Sequence, residues 1–402
     1  MKMDTSFENM LYLFGNGATG CNITVPDTEN IDVGAIRKYA IEQNVWAIIY
    51  KPLSKLCNVS RYETEVIVSV VQGIRQREFQ LEMIRKLEKA GICCCIIKGM
   101  SVAMLYKDPD CRLSGDVDVL IDYKDEEKAL ELLKQNGYNI TNMRGKNSHH
   151  SVAKHQIGGT LELHTELYSY IYKNIIFNGL ELYNEPQRFI DIDGKSYRTL
   201  GINDGLMYLT AHYIKHFINC GGGVRQMMDL LLYMKKYENE IDFELYEERL
   251  NQLSYKKLID TVKTIGAKYF GFDFEITNTE LMDKILYDTC TGGIFGHERN
   301  DSIRNGFRTE FCKRRSDASK LNMDYMLLFK LEKNIFQRIF ISRKRLIDSG
   351  YEYAKHILLV PFAWLQRAYD TLVERKKSKS DQNVQNKFNE RLELMKELNM
   401  IK

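Results

Sequence analysis

Asp116 and Asp118 are the two residues whose types and spacing point most directly to chemistry. They lie in the run Gly115-Asp116-Val117-Asp118-Val119-Leu120-Ile121, whose alternation predicts a strand. Side chains alternate faces along a strand, so both carboxylates point one way while Val117 and Val119 point into a core. Two carboxylates a few ångströms apart repel each other unless something positive compensates them. A divalent ion such as magnesium suits hard oxygen ligands, and it can hold a triphosphate and activate an attacking oxygen.

An isolated Asp-x-Asp is common on exposed strands and in caps, so the context decides its weight. Upstream, the apolar run from Ile92 to Ile97 predicts a strand that enters the turn Lys98-Gly99-Met100-Ser101. A short helix to Tyr106 and a loop through Asp108-Pro109-Asp110 then lead to Arg112. Gly99 lets backbone approach a phosphate, and a helix opening at Ser101 offers free amide donors and a positive dipole end. Lys98 and Arg112 are candidate triphosphate contacts. The plainer alternatives are an ordinary strand-to-helix turn and two exposed basic residues.

Further on, His149 to Ile157 and Thr160 to Leu167 flank Gly158-Gly159, which predicts a hairpin. In its second strand Glu162, His164 and Glu166 share one face and alternate with Leu161, Leu163 and Thr165. Of the acids on that face Glu162 is the better placed to hold an ion, because Leu161 and Leu163 anchor that part of the strand in the core, whereas Glu166 lies nearer its end. His149, His150 and His155 could suggest zinc, although histidines on a hairpin are more often hydrogen-bonded or exposed. His212 and His216 have i,i+4 helical spacing without the Glu of a His-Glu-x-x-His protease, and together with Asp229 they either line a cleft or pack in a core.

The order Lys-Gly, a helix ending Leu-Tyr, an Asp-Pro loop, Arg112 and Gly-Asp-Val-Asp-Val-Leu-Ile resembles an uncharacterised bacterial nucleotidyltransferase-like family of the polymerase-beta nucleotidyltransferase superfamily. Leu161-Glu162-Leu163-His164 resembles the strand that carries that family's third carboxylate. The chain departs from the commonest form, since Met100 separates Gly99 from Ser101. The resemblance implies an NTP substrate, two magnesium ions on Asp116, Asp118 and Glu162, and nucleotide contacts from Lys98, Gly99, Ser101 and Arg112. It implies transfer of a nucleoside monophosphate to an acceptor hydroxyl on a small molecule or a protein, with release of pyrophosphate. A non-catalytic binding or regulatory protein of the same fold is one rival, favoured by the Gly-Met-Ser turn. A metal-dependent glycosyltransferase is the other, and it would normally place several alternating strands and helices before its Asp-x-Asp.

Behind these residues stands a chain of 402 residues, long enough for two or three domains. The expected fold class is α+β, a small mixed-sheet nucleotidyltransferase core over 86–198 flanked by an N-terminal helical segment (1–85) and a C-terminal helical region (199–376), with a polar tail and surface helix in 377–402. The lead up to about Asn30 reads as a loop, rich in Gly15, Gly17 and Gly20 and lacking the Lys-Ser/Thr ending of a phosphate-binding loop. Helical spacing covers Val33 to Ile49, Tyr62 to Ala90, Lys124 to Asn136, several segments between Asn203 and Gly271, Thr279 to Cys290, Tyr325 to Arg375, and Asn386 to Asn399.

A formal net charge of +3 does not by itself imply nucleic acid. The basic runs Lys313-Arg314-Arg315, Arg343-Lys344-Arg345 and Arg375-Lys376-Lys377 read as solvated helix faces, so no nucleic-acid partner is expected. Nine cysteines, an odd number without Cys-x-x-Cys pairs, fit reduced thiols in a cytoplasm. Neither a secretory leader nor a transmembrane run is expected.

Overall fold

The computed structural model describes residues 3–26, 28, 31–142, 150–168, 173, 182, 184–219, 221–292, 343–348, 350–369 and 382–401. It divides into two compact units, Met1–His297 and Glu298–Lys402. The first is α+β, built on a seven-stranded mixed sheet with helices around it.

Four helices lead into that sheet: α1 (Thr5–Thr19), α2 (Val33–Glu42), α3 (Trp46–Ser54) and α4 (Glu63–Lys89). Gly91, at φ +84°, ends the last of them and turns the chain into β1 (Cys95–Ile96). There follow α5 (Met100–Ala103), β2 (Asp116–Leu120), α6 (Glu126–Gln135), β3 (Asn139–Asn142), β4 (His150–His155), β5 (Gly159–His164), β6 (Arg188–Ile192) and β7 (Lys195–Thr199). The strands lie in the order β3-β4-β5-β2-β1-β7-β6. β2 runs parallel to β5 and antiparallel to β1, so the sheet is mixed.

The alternation expected of the two acidic strands holds. Val117, Val119, Leu161 and Leu163 are fully buried and share a core with Leu81, Ile84 and Leu87 of α4 and Ala129, Leu130 and Leu133 of α6. Burying each such side chain contributes about 1.5–3 kcal/mol. A one-residue slip would carry all four to the opposite face, which pins the register. That opposite face carries the acids and meets α7 (Ile202–Asn219). α8 (Val224–Lys236), α9 (Phe243–Gln252), α10 (Lys256–Tyr269) and α11 (Thr279–Gly292) complete the unit.

The structure departs from the sequence expectation in the N-terminal helices. The lead is not a loop, because Thr5–Thr19 is helical, with the Asp4 carboxylate accepting from the amides of Ser6 (2.8 Å) and Phe7 (3.3 Å). Its glycines serve close packing: a Cβ at Gly15 would lie 2.4 Å from the Tyr269 carbonyl oxygen, and one at Gly17 would lie 2.3 Å from that of Ile48. The helical stretch from Val33 to Ile49 is two helices, broken at Asn44, whose φ is +54°. Beside the break Gln43 is buried, donating to the Thr289 carbonyl (3.0 Å) and accepting from the Val224 amide (3.1 Å), which ties α2 to α8 and α11.

In the second unit Arg343–Asp348 and Gln382–Glu397 are helical, the latter overlapping the expected surface helix. His149, the basic runs at 313–315 and 375–377, and positions 325–342 and 370–375 of the long C-terminal helix reading lie outside the described residues. Among the described residues no helix is long and apolar enough to cross a membrane.

Candidate active site

The parallel register of β2 and β5 assembles the acidic face. Asp118 lies opposite Glu162 and Asp116 opposite Thr160, so the three carboxylates come from adjacent strands on one side of the sheet. Asp118 is almost wholly buried, at 3% exposed, whereas Asp116 and Glu162 are partly open. They face a cavity of about 220 Å³, which is also lined by Lys98, His150, His164, Leu167 and Tyr168, and by Tyr208, Ala211, His212, Lys215 and His216 from one side of α7.

Lys98 arrives at the end of the strand leading from β1, just before Gly99. Gly99 takes φ +78°, a conformation that favours glycine, and a Cβ there would come within 3.3 Å of the Asp116 carbonyl oxygen. The Lys98 ammonium lies 3.2 Å from Asp118 Oδ2 and donates to His212 Nε2 at 2.9 Å. On the other side of Asp118, His164 Nε2 is 3.1 Å from Oδ1. Burial would raise the Asp118 carboxyl, but Lys98 and then His164 outweigh it and hold its pKa below the ordinary value. Burial likewise opposes the charge on Lys98, yet Asp118 and Asp116 raise its pKa overall. His164 follows the same pattern, pulled down by burial and raised further by its contacts with Asp118 and Glu162. The two α7 histidines behave oppositely. Burial, with Lys98 adding to it, holds His212 well below its usual value, and burial with Lys215 holds His216 down to about 3. His212 is therefore a neutral acceptor for the Lys98 ammonium.

Arg112 is elsewhere. Its guanidinium makes a two-point contact with Asp229, Nε to Oδ1 at 2.8 Å and Nη2 to Oδ2 at 2.6 Å, and Nη1 reaches the Gly99 carbonyl at 3.3 Å. The Tyr106 hydroxyl donates to Asp229 Oδ1 at 2.7 Å. This network is buried and supports the Gly99 turn from behind; neither Arg112 nor Asp229 lines the cavity. Ser101 is half-buried in α5, a helix of four residues, and does not line the cavity either. So short a helix presents little of the dipole expected of that turn. His155 stacks on Phe79 with centroids 4.2 Å apart and accepts from the amides of Ile157 and Gly158, remote from His150. Glu166 lies in a bend past the end of β5.

The chain matches the model of a family described as "Uncharacterised nucleotidyltransferase" over residues 29–271. It belongs to that family. The matched region spans the whole cavity lining, from Lys98 to His216. Comparison with curated proteins and with solved structures gives no match. Nucleotidyl transfer is the chemistry the family is described by, and the α7 side chains are the part of this cavity's lining that strand patterns do not announce. His212, Lys215 and His216 recur at i, i+3 and i+4, a spacing that puts them on one helix face.

Proposed function

We propose that this protein transfers a nucleoside monophosphate from an NTP to an acceptor hydroxyl of a small molecule or a protein. Magnesium would be held by Asp116, Asp118 and Glu162. The observation that carries the reading is the pairing of Asp118 with Glu162 across β2 and β5, with Asp116 two residues earlier, in a member of a nucleotidyltransferase family. The donor set fits the ion, since three carboxylates supply hard oxygens on one face. That face already draws Lys98 and His164 to compensate its charge.

When bound, magnesium supplies charge neutralisation for the triphosphate and lowers the pKa of the attacking hydroxyl. The chain's own groups do the rest. Lys98, held by Asp118 and His212, offers its ammonium to the triphosphate. Glu162 completes the ligand set or takes the acceptor's proton. The acceptor oxygen forms a bond to the α-phosphorus, the bond from that phosphorus to the bridging oxygen breaks, and pyrophosphate leaves with the electron pair.

One observation favours a second reading, a nucleotide-binding protein without turnover: Asp118 is already paired with both Lys98 and His164. Thermal shift with each of the four NTPs, with and without magnesium, followed by an assay of pyrophosphate release separates the two, because a ligand of the folded state raises its stability. Magnesium-dependent stabilisation with pyrophosphate release upholds transfer. Stabilisation without release under a broad acceptor screen supports the second reading, and no stabilisation by any NTP overturns both.

A further inference from the structure

The same sheet face carries a second donor set, of different chemistry. β4 pairs antiparallel with β5 so that His150 lies opposite His164, and Glu162 stands two residues before His164 on the same face. We propose that His150, Glu162 and His164 form a binding site for a divalent transition-metal ion of the zinc and cobalt kind, next to the Asp116 and Asp118 carboxylates.

The two edges to Glu162 are spaced as ligands around a shared ion would be. Glu162 Oε2 lies 3.6 Å from His150 Nε2 and 3.5 Å from His164 Nε2. Direct N–H···O bonds run to about 3.2 Å, and both separations exceed that. An ion holding its ligands tetrahedrally at roughly 2.0–2.1 Å spaces them about 3.3–3.4 Å apart, within a few tenths of an ångström of both edges. One ligand atom from each of the three residues lies within 4.8 Å of the other two. The imidazoles lie with centroids 4.9 Å apart and planes 28° from parallel, and the Nε2 atoms of both are nearest the same carboxylate oxygen, Glu162 Oε2. A further oxygen is at hand, Asp118 Oδ1, 3.1 Å from His164 Nε2. Support is rigid, because His164 is 3% exposed and both histidines sit in paired strands.

Two imidazoles and a carboxylate are the ligands of zinc, cobalt and their neighbours, whereas magnesium prefers oxygen alone and keeps its waters. The site shares Glu162 with the proposed magnesium set and stands whether or not nucleotidyl transfer does. Asp116 takes no part in it. The hairpin histidines thus do join a metal cluster, through His150 and its cross-strand neighbour His164, with His155 outside it.

The test uses the full chain, stripped with a chelator and titrated with Co2+ in excess Mg2+. We expect stoichiometric binding with the strong visible absorption of a low-coordinate cobalt site, bleached by Zn2+ and indifferent to Mg2+. His150→Ala, at a half-buried position, should keep the cooperative unfolding transition and weaken Co2+ and Zn2+ at least about 100-fold, since losing a ligand costs more than the 10–100-fold of losing a ligand's supporting partner. Glu162→Gln should weaken both ions in the same way, and Asp116→Asn should retain the cobalt spectrum. A parent chain with no stoichiometric cobalt site, or a folded His150→Ala that binds cobalt like the parent, overturns the proposal. A parent that binds cobalt as described yet no magnesium nucleotide upholds this site and overturns the transfer reading alone.

Discussion

Two buried groupings of acid and base lie on either side of the Lys98-Gly99 turn, and they differ in what they leave available. Around Asp229, the Arg112 guanidinium and the Tyr106 hydroxyl satisfy both carboxylate oxygens inside packed protein. Around Asp118, Lys98 and His164 compensate the charge at the wall of a cavity that two more carboxylates share. Residue type alone does not separate them, since Lys98 and Arg112 are equally plausible phosphate contacts in the sequence. Access does: one grouping fixes the turn, and the other faces the space where a ligand can bind.

The sharpest way to break this comparison is to remove Arg112. Arg112→Ala strands the Asp229 carboxylate in the interior and should cost about 3–5 kcal/mol of stability, read by urea unfolding. Arg112→Met combined with Asp229→Leu should lose far less, because a buried ion pair replaced by apolar groups of similar size is often nearly neutral. If Arg112→Ala unfolds like the parent and instead loses nucleotide binding, the two groupings are not distinct in kind.

Next in size is the contrast within β5 and the bend after it. Glu162→Gln should slow single-turnover transfer by about 100-fold or more while leaving NTP binding largely intact, in line with the loss of a positioned base. Glu166→Gln should change the rate little. The opposite ranking would mean that another acid completes the site.

The effect that is smallest at any one pH step concerns α7. His216 titrates near 3 in the folded protein against an ordinary 6.5. Between those values the unfolded chain binds a proton that the folded one does not, so stability is lost as pH falls from 6.5 toward 3, at most about 1.4 kcal/mol per pH unit. His164, whose folded value is raised, works the other way: its contribution is full below 6.5 and is lost as pH rises through the folded value. Comparing parent with His216→Asn isolates the first term, and the variant should show the shallower loss on acidification. Equal slopes would mean that His216 carries no buried, neutral role.

The difference between these regions also marks what was legible in the sequence. Asp116 and Asp118 can be placed on one face of their strand, and Glu162 and His164 on one face of theirs, because a strand's period of two is strict and flanking valines and leucines report which side is buried; that the two strands adjoin is implied in the sequence by the family resemblance alone. The partners could not be read. Lys98 meets His212 across 114 positions and Arg112 meets Asp229 across 117, and no local pattern encodes such contacts. His150 was visible, but its pairing with His164 depends on the hairpin register, which Gly158-Gly159 does not fix alone. The sequence does not announce the hairpin of β6 and β7 around Asp193-Gly194, because β6 keeps several half-exposed positions and lacks a strong apolar alternation. Gly15 and Gly17 suggested a loop, whereas their lack of a side chain serves helix packing against Tyr269 and Ile48.

The measurement that bears most directly on the central claim is the thermal midpoint of the parent and of Asp118→Asn, each with NTP in the presence and absence of magnesium. The account predicts that the parent is stabilised by NTP only when magnesium is present, and that Asp118→Asn folds but loses this stabilisation, with Asp116→Asn behaving alike. A folded Asp118→Asn that is stabilised by magnesium and NTP as much as the parent would contradict it.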